Sequence, residues 1–500
     1  MTTTLSAKDL KDKIARLSYR NQALIDGKYV DAASGKTFAC ISPIDGKVLT
    51  HVAECDAEDV DRAVRSSRKA FDSGAWSKMA PSQRKQILQR FADLILENED
   101  ELALLETLDM GKPIRYSTTV DVPKAADCIA WCAEAADKLY DEVAPTAQTS
   151  LALITREPLG VIGAVVPWNF PLLMAVWKVA PALTVGDSVI LKPAEQSPLS
   201  ALRIGELALE AGLPEGVLNV VPGFGETAGR ALGLHMDVDA IAFTGSTEVG
   251  KYFLEYAGQS NMKQVSLECG GKSPHVVLAD APDLDAAAEA AATGIFYNQG
   301  EVCAAGSRLL VQESIKDEFL EKVVALGKQR QPGDPLDPET HMGAIVDEVQ
   351  TNRVMGYIEA GKEAGAKLRM GGRQVRQESG GYYIEPTIFD DVDNDMSIAQ
   401  EEIFGPVLST ISFKDVEEAI AIGNATVYGL AAGVWTRDLT TAHKMARALR
   451  AGTVWVNCFS QGDMTTPFGG FKQSGFGRDK SLHMFDKYSQ LKTTWINLGD

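Results

Sequence analysis

Three short stretches carry side chains suited to chemistry at a carbonyl carbon. NQGEVCAAGSR, residues 298–308, sets Cys303 among Gly300, Ala304, Ala305 and Gly306. A thiol so little crowded either lies in a tightly packed turn or has to be reached by another molecule. A nucleophilic cysteine usually needs a lowered pKa and a basic partner. None of the six histidines, at 51, 235, 275, 341, 443 and 483, is a local companion. LECGGKSP, residues 267–274, offers a carboxylate instead: Glu268 ends a β-rich run and precedes two glycines. Such a group suits the activation of water rather than of the thiol. PWNFP, residues 167–171, holds Asn169 between two prolines after another β-rich run, where its amide can donate to a developing oxyanion. Taken singly, a packed Cys, a strand-terminal Glu and a buried Asn explain the same residues.

Two more stretches suit a nucleotide. FTGSTEVG, 243–250, follows a β-rich run and opens a helix, and amides at such a helix start suit a pyrophosphate. Its spacing is GxxxxG rather than GxGxxG, so alone it is equally a tight strand–helix turn. In LKPAE, 191–195, Lys192 and Glu195 lie three apart after another run and could grip the hydroxyls of a ribose. An anionic Glu195 also repels a 2′-phosphate, by about 4 kcal/mol per charge pair at about 4 Å and an effective dielectric of 20. NAD is therefore expected before NADP, which stays open because the side chain can swing away. A plain surface Lys–Glu pair is the alternative, and contributes little.

These residues need elements to position them. VIGAVV (161–166), SVILKP (188–193), VLNVV (217–221) and AIAFTG (240–245) are short β-rich runs separated by helical stretches. The alternation predicts a parallel sheet with right-handed crossovers, with ligands beyond the carboxyl ends of its strands. A second alternating series runs from HVVLA (275–279) and RLLVQ (308–312) to TVWVN (453–457). Residues 56–140 read as successive helices opened by a capping residue or proline and closed near glycine. KTTWINL (492–498) is an alternating terminal strand that needs a partner sheet, in this subunit or another.

Composition sets the outer bounds. Five hundred residues, 45% hydrophobic and 23% charged, fit two or three globular domains. A net charge of −19 argues against nucleic acid as a partner. The N-terminal MTTTLSAKDLKDKIARL has no apolar core of a secretory signal. LGVIGAVVPWNFPLLMAVW, 159–177, lacks charge, but Pro167, Pro171 and Asn169 make it a strand, turn and helix rather than a membrane span. Seven scattered cysteines without CxxC fit a reduced cytosol. Cys128 and Cys132, four apart on one helix, lack the partners for a metal site, so no metal is expected.

Taken together and in order, PWNFP, LKPAE, FTGSTEVG, LECGGKSP, GEVCAAGSR, EEIFGPV (401–407) and PFGGFKQSGFGRD (467–479) resemble the NAD(P)-dependent aldehyde dehydrogenase superfamily over nearly the whole chain. The resemblance implies an α/β, aldehyde-dehydrogenase-like fold. A Rossmann-type nucleotide-binding domain would span 1–140 and 159–270, an α/β catalytic domain 271–480, and a β-strand oligomerisation arm 141–158 and 481–500. Cys303 matches the nucleophile, Glu268 the base for thioester hydrolysis, Asn169 the oxyanion donor and Lys178 a supporting lysine. Trp168, Lys192, Glu195, Gly225, Gly245, Ser246, Glu402 and Phe404 match cofactor contacts. Small residues around Cys303 would leave room for aldehyde and nicotinamide.

Within the family the likeness is to bacterial enzymes oxidising γ-glutamyl-γ-aminobutyraldehyde or 4-guanidinobutyraldehyde in putrescine, agmatine and arginine breakdown. It lies in GDMTTPFGG (462–470) and SGFGRDKSLHMFDKYSQLKTTWINL (474–498). Phe170, Met174, Trp177 and Phe468 are expected to line the substrate tunnel, with core packing as the alternative, and Asp121 or Asp463 to meet a cationic tail, with a solvated surface acid as the alternative for both. Betaine-aldehyde, succinate-semialdehyde and CoA-acylating semialdehyde dehydrogenases are the alternatives; Glu268 argues against the last. A non-redox cysteine acyltransferase leaves LKPAE and EEIFGPV unexplained, and a non-catalytic binding protein would not need Cys, Glu and Asn together. The expected protein is a cytoplasmic homo-oligomer, dimer or tetramer, acting on a small aldehyde without nucleic acid or membrane.

Overall fold

The computed structural model describes residues 7–499; the first six residues of the N-terminal stretch read above for a signal lie outside them. The β-rich runs of the first series become one parallel sheet because each is apolar on both faces. Its order is Leu218–Val220, Ser188–Lys192, Val161–Val165, Ala240–Thr244, Gln264–Glu268. Numbered along the chain that order is 3-2-1-4-5, so the direction of winding reverses between Val161–Val165 and Ala240–Thr244. The crevice for a ligand opens at that point. Residues 159–177 form a strand followed by the helix Pro171–Val185. Among the described residues no helix is long and apolar enough to cross a membrane.

The sheet is wider than the alternation predicts. Ala23–Ile25 and Lys28–Val30 extend one edge antiparallel, and Gly475–Phe476 closes the other by pairing with Leu267 and Glu268. These pieces are too short to show a period. The last of them returns from the far end of the chain to hold the strand that carries Glu268.

The second series forms a seven-stranded sheet with Pro274–Val277 between Arg308–Gln312 and Ala431–Trp435. Of the helices in 56–140, the first packs on the first sheet and the later ones pack on its covering helices Pro171–Val185 and Leu199–Glu210. Ala57–Ser73 starts on the Asp56 capping box and stops at left-handed Gly74. The next stretch is broken at Asn98 into Pro81–Glu97 and Glu99–Met110. The terminal strand Ser489–Asn497 pairs within the chain, antiparallel to Ser150–Pro158 over its whole length, with Glu142–Ala144 on the other side.

Gly475 has φ +104°, and a Cβ there would lie 2.1 Å from the Leu267 carbonyl oxygen. Left-handed strain and overpacking together make Gly475→Ala cost about 3 kcal/mol. The melting temperature should fall, because the Glu268 strand loses its edge. An unchanged melting curve would show that this strand pair is dispensable.

Candidate active site

The turns after three neighbouring strands converge. Pro167–Phe170 follow Val161–Val165, Thr244–Ser246 follow Ala240–Thr244, and Glu268–Gly270 end Gln264–Glu268. The loop of the second sheet that carries Cys303 closes over them. Together they line a cavity of about 470 Å³. Cys303, Asn169 and Glu268 all face it. So do Trp168, Gly245, Ser246, Glu402 and Phe404 among the expected cofactor contacts, and Phe170, Met174, Trp177, Phe468 and Asp463 among the expected substrate contacts.

Asn169 is held between the two sheets. Its Nδ2 donates to the Glu301 carbonyl at 2.8 Å, and Asn298 Nδ2 donates to the Asn169 carbonyl at 3.0 Å. The second Nδ2 hydrogen is left for the cavity. Cys303 is half-buried in the cavity wall. Burial, then the Glu402 and Glu268 carboxylates, push its thiol up to about 12, against the pull of the Cys303 and Ala304 backbone N–H groups. Glu268 is buried, and among the described residues neither carboxylate oxygen has a hydrogen-bond partner. Burial and the Asp479 charge push it well above the usual carboxylate range, against Lys178, Lys487 and Arg478.

The glycine pair of LECGGKSP has a steric cause. A Cβ on Gly270 would lie 2.0 Å from Glu402 Oε2, and one on Gly271 would lie 2.4 Å from the Cys303 carbonyl oxygen. Glu402 Oε1 accepts from the Gly271 N–H at 3.1 Å, and burial raises Glu402 to about 7. Phe404 has φ +58° and meets Trp168 edge-on at 5.2 Å. Around Cys303 the small residues serve packing more than access. A Cβ on Gly300 would meet the Gly405 carbonyl at 2.2 Å, and one on Gly306 would meet Phe459 at 3.1 Å; only Ala304 lines the cavity.

Lys192, Glu195 and Gly225 lie outside the cavity wall. Lys192 Nζ is 3.5 Å from Glu195 Oε2 and donates to the Pro193 carbonyl at 2.9 Å. Its stem faces Gly229, where a Cβ would come within 3.7 Å of Cδ, and a Cβ on Gly225 would meet nothing. Lys178 is also outside the wall: its Nζ donates to Asp479 Oδ2 at 2.5 Å, and Asp479 does face the cavity.

Asp121 is corrected. It is neither a substrate contact nor a solvated acid: it is fully buried and takes the Lys112 ammonium at 2.6 Å. Lys112 lies in turn over the Phe170 ring at 3.9 Å. From the helix that follows, Val122–Ala135, the acid at the cavity is Asp127, with Lys124 one turn before it. Their i,i+3 spacing signals a shared face, as the alternation of TVWVN does for Trp455. Asp479, Tyr297, Lys480 and Thr244 were missed as well. Among the described residues no group of three or more His, Cys, Asp or Glu could hold a metal ion.

Residues 29–494 match the aldehyde dehydrogenase family, and the chain belongs to it. The chain is 54% identical over 488 residues to the NADP/NAD-dependent aldehyde dehydrogenase PuuC of Escherichia coli (strain K12), covering 98% of each. The crystal structure of γ-glutamyl-γ-aminobutyraldehyde dehydrogenase from Burkholderia cenocepacia J2315 superposes with TM-score 0.97 at 59% identity, covering 99% of this chain and 100% of that one. The P. syringae AldA indole-3-acetaldehyde dehydrogenase, in complex with NAD+ and IAA, superposes with TM-score 0.98 at 61% identity and the same coverage.

The raised thiol sets a testable pH dependence. In the enzyme without cofactor the thiolate of Cys303 is scarce at neutral pH and grows about tenfold per pH unit. Iodoacetamide labelling of Cys303, followed by peptide mapping, should rise with that slope from pH 7 to 9. A plateau near pH 8 would contradict the assigned environment.

Proposed function

We propose that the chain oxidises an aldehyde to a carboxylic acid with NAD, and with NADP as a second cofactor, through a thioester on Cys303. The observation that carries this reading is the convergence of Cys303, Asn169 and Glu268 on one cavity that also runs past Gly245, Ser246, Glu402 and Phe404. The residues present fit a dinucleotide. Thr244 Oγ1 is buried without a partner at the cavity wall, Gly225 leaves open space, and Lys192 with Glu195 stands at the next strand end. Gly245 and Ser246 would take the pyrophosphate, Lys192 and Glu195 the adenosine ribose, and Glu402 the nicotinamide ribose. Bound there, an oxidised nicotinamide supplies the hydride acceptor and a positive charge beside the thiol.

Cys303, its proton lost to solvent, bonds through Sγ to the aldehyde carbon. The carbonyl oxygen becomes an oxyanion, met by Asn169 Nδ2–H and the Cys303 backbone N–H. When hydride leaves that carbon the C=O bond re-forms and a thioester remains. Glu268 takes a proton from water as its oxygen attacks the thioester; the C–S bond breaks, the acid leaves and the thiolate returns. An unpartnered Glu268 favours water over CoA as acceptor.

The substrate reading rests on the mouth. Asp127 and Asp463 stand there with Lys124 and Lys480, while Phe170, Trp177, Tyr297, Trp455 and Phe468 form the walls. This suits an amino, guanidino or γ-glutamylamino butyraldehyde: the aliphatic chain lies against aromatic walls and the charged head meets the rim. The two lysines suit the carboxylate that a γ-glutamyl head adds to its ammonium. The aromatic walls also suit an arylacetaldehyde, the second reading.

The roles of 1–140 with 159–270 in nucleotide binding, 271–480 in catalysis and 141–158 with 481–500 in assembly belong to the same proposal, as does a cytoplasmic setting. Among the described residues the outer edge of Ser489–Asn497 is unpaired, and the strand exposes Leu491, Trp495 and Ile496. That edge suits a dimer or tetramer; sedimentation as a monomer at micromolar concentration would remove it from that role.

Cys303→Ala should abolish NADH production. Glu268→Gln should keep the first burst of NADH and slow the steady phase about a hundredfold or more; equal loss of both phases would count against Glu268 as the base. On a panel of aminoalkyl, guanidino, γ-glutamylamino, aryl and aliphatic aldehydes, the charged-headed ones should give the highest kcat/KM. Asp127→Asn with Asp463→Asn should lower the guanidinobutyraldehyde preference over a neutral aldehyde about fivefold. An unchanged ratio would assign the walls, not the rim, to specificity.

A further inference from the structure

Asp479 is fully buried between two ammonium groups: Lys178 Nζ donates to Oδ2 at 2.5 Å, and Lys487 Nζ donates to Oδ1. The two lysine side chains are 1% and 7% exposed. The charges facing Glu268 are these three groups and Arg478. Arg478 donates to the Gly470 and Gly477 carbonyls and lies over the Phe471 ring, outside the buried cluster. From the other sheet and its own strand, Cys303 and Cys269 also feel Glu268 and Glu402, and Glu402 only adds negative charge.

Charge counting inside this pocket has one solution. Lys178 and Asp479 alone are neutral, so an ionised Glu268 beside them would be an uncompensated buried anion. The second lysine leaves one positive charge over, and Glu268 is the carboxylate with no partner of its own. We propose that Lys487 is a positioning residue for thioester hydrolysis: its ammonium supplies the buried positive charge that lets Glu268 ionise while Asp479 remains an anion between the lysines. Lys487 occupies the end of the Leu482–Lys487 turn, with Tyr488 between it and the strand Ser489–Asn497. It touches neither the cavity nor the thiol, and acts only through Asp479 and through the field at Glu268. The environment agrees in sign. Burial raises Asp479, but Lys178 and Lys487 outweigh it and hold it low, whereas Glu268 stays high.

The inference rests on Glu268 as the base, and the test separates the two. In full-length enzyme a single turnover forms the acyl-enzyme, and acid release is followed against pH. Release in the unaltered enzyme should rise with pH to a plateau. In Lys487→Met the midpoint should move up by about one pH unit or more, with the NADH burst retained. Lys487→Arg should keep the original midpoint. Asp479→Asn, which leaves two lysines and no second anion, should move it down. An unmoved midpoint in Lys487→Met, or equal loss of burst and release at every pH, overturns the proposal. If Lys487→Met does not fold, an Asp479→Asn midpoint that moves up or not at all overturns it as well. Should Glu268→Gln release acid with the original profile, Glu268 is not the titrating group and the functional reading fails instead.

Discussion

Two carboxamides tie the Cys303 loop to the rest of the site. Asn169 belongs to the turn after the first sheet's central strand, and Asn298 and Glu301 belong to the loop before Cys303. The exchange of hydrogen bonds among them, at 2.8 and 3.0 Å, is buried. Each bond contributes about 1 kcal/mol net, but leaving a buried partner unpaired costs about 1–3 kcal/mol. The penalty for slippage therefore exceeds the gain from contact, and it fixes where the thiol stands over the strand ends. The loop is held from its other side too. Gln299 accepts from the Gly343 N–H and Glu301 from the Val346 N–H, while Asn298 and Gln299 keep left-handed φ of +48° and +57°. Backbone in that region persists where its surroundings over-determine it.

Low dielectric around this loop explains the electrostatics. Glu268, Glu402 and Asp479 all face the cavity that holds Cys303. Only Asp479 has direct ammonium partners, and it alone of the three is held low. Glu402 has one backbone N–H and rises to about 7. Glu268 has no donor among the described residues and is raised well above its ordinary range by burial and the Asp479 charge. Where ammonium donors are present the carboxyl is held low, and where they are absent burial raises it. Burial with few compensating donors thus raises both the Cys303 thiol and the Glu268 carboxyl above their ordinary ranges.

The parallel sheet and the strand-end positions of Asn169, Glu268 and Ser246 were legible because apolar runs alternating with helices have few topological solutions. What escaped was short or distant. Gly475–Phe476 is two residues long and meets its partner more than two hundred residues back. Asp121 reads as a surface acid because sequence shows no reason for Lys112 to turn inward beside it. The roles of Asp479 and Lys487 depend on a pocket assembled from the Gln264–Glu268 strand, the Pro171–Val185 helix and the chain's last turns, and no local period announces it. The small residues flanking Cys303 were readable as sparse. That Gly300 and Gly306 face Gly405 and Phe459 rather than a ligand follows only from the packing.

The two glycines after Glu268 show why these failures did not hide the site. Gly270 admits the Glu402 carboxylate and Gly271 admits the Cys303 carbonyl, each at a distance no side chain could share. Glu268, the Cys303 carbonyl and the Glu402 carboxylate therefore meet along one short chain segment. A displacement of any one is transmitted through backbone contacts to the other two, because at that density there is no slack to absorb it. A stretch of five residues, LECGG, thus encodes a joint between two sheets as well as a carboxylate. That double constraint is what makes so short a motif informative about a site whose remaining parts lie far apart in sequence.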